Sequence, residues 1–433
     1  MTLYEAGASV NGNAPAYESV RSAVLDEIAR SKVDGRDRSA VAGVARAHVD
    51  DYQRNAEAGV GRRFARPDVI VDRLVRSVCG AGPFEKFFPP SELAVEVLFK
   101  GGVISYVTPA GTLGVDTEPT TEDELVAVCQ RLFAEAGAAF DLEHPVVVRQ
   151  VWGNQVRASV SIPPVSDCLD GTFRIYRPHR TDLVDLVELD SMTSAAANVL
   201  AALTLAPTGI LVTGGPGSGK STILSALLRA VPATTITRIV QAVRELDAPH
   251  LPGGRWSPEA VDCTIRFLVQ KALQFAPQLL VVGETLGEEA FELLKAANAG
   301  CGFMTTLHAN SAQLGMQSLV TAALMAGDNV PEAVVRKSFA RLIDLVVHCE
   351  AEPLHRVPDG GRRRRQVMEI CAVPAQIHHD EFVLEPLFVR EDFGRPLEFV
   401  GHHLPGDLER RLDRVLPDGL AIRDLAEGSA VIL

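Results

Sequence analysis

A chain of 433 residues, 47% of them hydrophobic, is long enough for two or three separate cores. Only 6% of it is aromatic and its formal net charge is −13, which argues against a base-stacking surface and against a global basic field for nucleic acid. The seven cysteines (Cys79, Cys129, Cys168, Cys263, Cys301, Cys349, Cys371) are odd in number and include no C-x-x-C pair, a pattern of reduced thiols and not of a disulfide framework or a zinc site.

In chain order, residues 1–64 predict a mobile start over 1–15 and then a helical lead. "YESVRSAVLDEIARS" places Val20, Val24 and Ile28 at helical spacing, and "AVAGVARAHVDDYQRNA" continues after the break at "KVDGRDR". No basic segment followed by an apolar core opens the sequence, so no signal peptide is expected. Residues 65–180 predict a small α/β domain. It has a helix at "VIVDRLVRSVC", a turn and short helix at "GAGPFEKFF", and two or three strands in "LAVEVLFKGGVISYVTPAGTLGV". A further helix starts at Thr121 before an acidic first turn, and "VVVRQVWGNQVRASVSI" alternates like a hairpin turning at Gly153-Asn154.

Residues 181–192 read as a linker. From 193 to 350 helical and strand patterns alternate, as in a largely parallel sheet. The longest apolar stretch, 196–212, is broken by Pro207 and Gly209, so it reads as helix, turn and buried strand and not as a membrane span. Residues 351–433, weaker in pattern and richer in charge, read as a C-terminal extension. Their basic run Arg362–Arg365 reads as a solvated hairpin turn, with weak docking to an anionic membrane surface as the alternative.

The strongest chemical signal is "GILVTGGPGSGKSTILSALL". Gly214, Gly219, Lys220 and Ser221 match G-x-x-x-x-G-K-[ST] between a buried strand and a helix. In such a loop (Gly214, Gly215, Pro216, Gly217, Ser218, Gly219, Lys220, Ser221, Thr222) backbone N–H groups curl around phosphate oxygens and the helix N-terminus adds its dipole. Lys220 is expected on the β- and γ-phosphates, the Ser221 hydroxyl on Mg2+, and Thr222 at the α-phosphate; the cofactors expected are therefore ATP and Mg2+. "LLVVGE" supplies an acidic strand end at Glu284, suited to the Mg2+ shell or to orienting water. "TTLHAN" then brings His308 to the place in sequence where a third strand ends at the same sheet edge.

"GGPGSGKST", "LLVVGE" and "TTLHAN", in this order and at these intervals, resemble the type II/type IV secretion ATPase superfamily. "GAGPFEKFF", "VRASVSIPP" with "TFRIYR", and "TIRFLVQKALQFAP" extend the resemblance over roughly residues 65–350. It is closest to the Tad/Flp pilus and conjugation-type branch. The resemblance implies an α/β fold: a RecA-like P-loop C-terminal domain, with a smaller α/β N-terminal domain behind a helical lead. It implies a homo-hexameric ring that hydrolyses ATP in the cytoplasm, docked peripherally on an inner-membrane platform protein, with no direct DNA binding. By position it implies catalytic roles for Glu284, His308 and Glu245, and nucleotide contacts from Arg157, Arg174 and Arg177.

The sequence departs from the family where hydrolysis is concerned. The acidic box reads "RIVQAVREL", keeping Glu245, with Asp247 just beyond, and lacking the central Glu-Asp pair. Gln274, Ala276 and Gln278 stand where two arginines and an aspartate are usual, and Leu286 where an arginine is usual. Two readings stay open: a divergent working motor, and a nucleotide-binding, hydrolysis-impaired scaffold or regulator. A small-molecule kinase would need an arginine-rich lid after the loop helix, which "TRIVQAVRELDAPHLPGGRW" does not offer.

Overall fold

Alternating apolar and polar residues between Glu96 and Ile175 build a six-stranded sheet in the computed structural model. The structure describes residues 14–109, 111–176, 181–242, 245–246, 248–258, 263–298, 300–327, 330–357, 363–401 and 404–433. The mobile start expected over 1–15 lies, up to residue 13, outside them. The chain divides into two compact units, residues 1–177 and 178–433.

In the first unit the helical lead forms as Ala14–Ser31 and Arg38–Glu57, the second capped by Asp37, whose carboxylate accepts from the amides of Ser39 and Ala40. Helix Pro67–Cys79 opens on proline, whose missing N–H costs nothing at a first helical position. Six strands follow: β1 (Glu96–Lys100), β2 (Val103–Val107), β3 (Leu113–Val115), β4 (Val146–Val151), β5 (Val156–Ser161) and β6 (Asp170–Ile175). They pair antiparallel in the order β3-β2-β1-β6-β5-β4. Between β3 and β4, helix Glu122–Glu135 starts at Thr121, whose hydroxyl accepts from the Glu124 amide. One face of the sheet packs Val97, Phe99, Val156, Ala158 and Phe173 against Phe84 and Phe88. The hairpin from β4 to β5 is longer than the two-residue turn expected. Trp152, Gly153 and Asn154 all take left-handed backbone, and the amide of Gln155 closes on Trp152 O at 3.3 Å.

A buried ion pair ties the helices of this unit together. Arg73 and Glu124 are both 0% exposed, joined by two hydrogen bonds of 2.8 and 2.6 Å, and the Tyr17 hydroxyl donates to the same carboxylate at 2.9 Å. Burial next to that charge pushes the Tyr17 phenol well above its ordinary range. Tyr17→Phe keeps the ring and leaves Arg73 bidentate on Glu124, so it isolates one buried bond to a charged group. It is expected to cost about 1–3 kcal/mol in urea denaturation followed by circular dichroism.

The second unit is built on one mixed sheet. Its strands are β7 (Gly209–Gly214), β8 (Thr237–Val240), β9 (Gly253–Trp256), β10 (Leu279–Val282), β11 (Gly302–His308), β12 (Leu345–Ala351), β13 (Arg365–Ala372), β16 (Glu385–Val389) and β17 (Glu398–Phe399). A two-stranded ribbon, β14 (Ile377–His378) with β15 (Glu381–Phe382), stands apart. The sheet order is β17-β16-β13-β12-β7-β11-β10-β8-β9, and β12 through β9 in that order run parallel. The strand before the phosphate loop thus lies between β11 and β12, with β10 one strand further, the RecA-like arrangement. Helices cover both faces: Ile210 and Val212 of β7 enter one core and Leu211 the other.

Two expectations change here. The segment read as a linker, 181–192, contains helix Leu183–Glu188 with a capping box at Asp182, and Leu183 and Leu186 join the core of this unit. The tail read as an extension continues the sheet through β13, β16 and β17, and helix Gly406–Asp413 sends Arg411 to Asp344 and to Pro207 O, at the root of β7. Among the described residues no helix is long and apolar enough to cross a membrane.

Candidate functional site

The phosphate loop is shaped by what stands behind it. A Cβ at Gly214 would lie 2.2 Å from the carbonyl oxygen of Cys349 on β12, so only glycine lets β7 pass. Gly217 and Gly219 take φ values of +69° and +103°, which glycine adopts without strain. A Cβ at Gly215 or at Gly217 would meet no atom within 4 Å, so the loop borders open space where a phosphate would sit. Helix Lys220–Ala230 starts directly behind Gly219, aiming its N-terminal dipole at the loop. The donor set (loop amides, an ammonium, the Ser221 hydroxyl one residue on) fits a magnesium-bound triphosphate.

Three predicted residues are joined in a chain. Lys220 is 7% exposed; its Nζ donates to Gly215 O at 2.9 Å and to His308 Nδ1 at 3.1 Å. His308 Nε2 lies 2.8 Å from Glu284 Oε1. An ammonium only donates, so Nδ1 must accept; the imidazole is then neutral, carries its proton on Nε2 and donates it to Glu284. The sheet explains the meeting: His308 ends β11 in register with Gly214, and Glu284 follows β10, the next strand.

The threonines before His308 anchor the Glu284 loop. Thr306 Oγ1 donates to Gly283 O at 2.8 Å, the Thr285 amide donates to Thr306 O at 2.8 Å, and the hydroxyls of Thr285 and Thr305 meet at 2.7 Å. Glu284 is thus fixed on both sides by groups that are buried. Beneath the loop, Thr213 Oγ1 meets His348 Nδ1 at 3.0 Å, and Cys349 Sγ lies 3.5 Å from Ser218 Oγ. Burial pushes the Cys349 thiol up to about 11, so it is a neutral packing group there.

Among the described residues no bond links Glu245 to this chain. Glu245 follows β8, beyond β10 from the phosphate loop, and its amide donates to Gln241 Oε1 at 3.0 Å. Asp247 lies outside the described residues. Arg157 and Arg174 belong to the first unit. They are exposed and face each other as register partners on β5 and β6, with Gln150 and Glu96 at the two ends of the row. Arg177 lies outside the described residues.

Residues 146–380 match the family described as Type II/IV secretion system protein, more than half of the chain. The chain belongs to that family. Over 258 residues it is 33% identical to a Mycobacterium tuberculosis protein named for conjugal transfer, covering 56% of this chain and 70% of that one. The conjugal transfer protein TrbB of Rhizobium radiobacter is 26% identical over 287 residues, 65% of this chain and 81% of the relative. Among solved structures, the Legionella pneumophila ATPase DotB overlays with a TM-score of 0.49 at 19% identity, over 65% of this chain and 77% of that one.

In this secretion-family chain the departures noted above have local uses or none. Gln278 accepts from the Ile236 amide at 2.9 Å, a structural bond, whereas Leu286 is 65% exposed. The basic run lies between the antiparallel strands β12 and β13, with Arg364 and Arg365 exposed as expected, and it also makes bonds that the sequence does not show. Arg362 lies outside the described residues, Arg363 donates to Glu352 O at 2.7 Å, Arg364 reaches the Glu352 carboxylate at 3.3 Å, and Arg365 Nε donates to Gly217 O of the phosphate loop at 2.9 Å. No local pattern signals that last contact, because 148 residues separate its partners.

Proposed function

We propose that this chain is an ATP hydrolase that powers a type II/IV secretion or Tad/Flp-like pilus machine from the cytoplasmic side, working as a hexameric ring on an inner-membrane platform protein. The observation that carries the reading is the Lys220–His308–Glu284 chain at a complete phosphate loop. Lys220 binds and neutralises the β- and γ-phosphates, and the loop amides from Gly214 to Thr222 hold the remaining phosphate oxygens. Ser221 and Glu284 are the residues that would hold Mg2+, which when bound supplies positive charge to the β- and γ-oxygens. Glu284 orients the attacking water. His308, in contact with Lys220 and ending β11, is the residue that senses the terminal phosphate, so loss of that phosphate is felt at β11. Glu245 is the surviving carboxylate of the acidic box, and Arg157 and Arg174, with Arg177, are the first unit's cations for the nucleotide.

A second reading, a nucleotide-holding scaffold with impaired hydrolysis, is favoured by one feature: Glu245 stands apart from the Lys220–His308–Glu284 chain. Steady-state phosphate release by the purified chain with MgATP, measured across a concentration series alongside sedimentation velocity, separates the two. Turnover that rises as the ring assembles is the expected result. Tight ATP binding with no phosphate release from the assembled ring would replace the motor by the scaffold.

A further inference from the structure

The start of β13 returns a cation to the phosphate loop. Strand β13 runs antiparallel to β12, with Arg365 opposite Ala351, so Arg365 lies at the edge where the parallel strands end. Its Nε donates to Gly217 O at 2.9 Å. Its Cβ and Cδ lie 3.8 and 3.9 Å from the point where a Cβ on Gly219 would stand. The aliphatic stem therefore runs along the glycine face of the loop, in ordinary van der Waals reach of position 219. The neighbouring Arg363 and Arg364 turn instead to Glu352.

The flank matters. His308 and Glu284 approach from β11 and β10, on one side of β7; Arg365 approaches from the β12–β13 side. A triphosphate whose terminal phosphate lies at His308 and Glu284 must carry its nucleoside end away from them. We propose that Arg365 binds the phosphate nearest the nucleoside, and so serves ATP and ADP alike. This rests on reading Gly214–Thr222 as a nucleotide loop. It also supplies positive charge from the β13 side in a chain that lacks arginines at positions 274, 276 and 286.

The test is equilibrium titration of the full chain with MgATP and with MgADP, for wild type and Arg365→Gln, together with the thermal midpoint of each protein without nucleotide. Arg365→Gln is expected to weaken both nucleotides by about tenfold, as for one charge-assisted bond, with the nucleotide-free midpoint unchanged. Equal affinities in the two proteins would overturn the proposal and leave the loop reading standing. A loss confined to ATP would place Arg365 on the terminal phosphate and overturn it too. A weakening matched by a fall in the nucleotide-free midpoint would make the residue a brace for loop shape. A wild-type chain that binds neither nucleotide would overturn the loop reading itself.

Discussion

Lys220→Ala is expected to abolish nucleotide binding in a chain that stays folded. The substitution falls at the first residue of helix Lys220–Ala230, where alanine is an excellent helix former, so local structure is not at stake. The loss is electrostatic. The ammonium is held almost buried against Gly215 O and His308 Nδ1, where on this reading it would meet phosphate oxygens. Each charge-assisted bond it makes to a phosphate is worth about 1.5–3 kcal/mol, and two of them correspond to at least a hundredfold in affinity. Calorimetric titration with MgATP and MgADP checks the loss, and an unchanged thermal midpoint checks the fold. Binding retained by the variant would mean that Lys220 does not hold the nucleotide's phosphates.

Glu284→Gln is expected to leave ATP affinity within about threefold and to lower turnover by about a hundredfold or more, the range in which a positioned proton acceptor acts. The design of the site makes this variant informative. Glutamine keeps an oxygen that accepts from His308 Nε2, so the chain from Lys220 can persist. The backbone on either side stays pinned by Thr306 and Thr285. What goes is the carboxylate's charge and basicity. Single-turnover phosphate release compared with nucleotide affinity gives the result, and an unchanged rate would remove Glu284 from the reaction.

The parts of this site written in consecutive residues were legible from the sequence. The glycine loop, the apolar run ending at Glu284 and the strand ending at His308 each announce their local structure, because buried parallel strands and a helix start have strong one-dimensional signatures. That these strand ends meet was expected from the family resemblance; the hydrogen bonds that join them depend on sheet order and register, which spacing alone does not encode. The contact of Arg365 with Gly217 is hidden for the same reason: it exists only because β13 returns beside β12. The anchoring role of Thr305 and Thr306 was hidden too, since a pair of strand threonines is also ordinary β-propensity. The helix inside 181–192 escaped notice because six residues are too few for periodicity to register, although its Asp182 capping box was present in the letters.

The one-way nature of the ammonium gives His308 a use beyond chemistry. Lys220 holds the ring to a single tautomer, with hydrogen on Nε2 and a bare Nδ1. The two ring nitrogens of such an imidazole resonate far apart in a nitrogen spectrum, and their positions respond to any change of partner at Nδ1. A chain carrying nitrogen-15 in its histidines would report occupancy of the phosphate loop from within, with no dye on the nucleotide and no coupled assay.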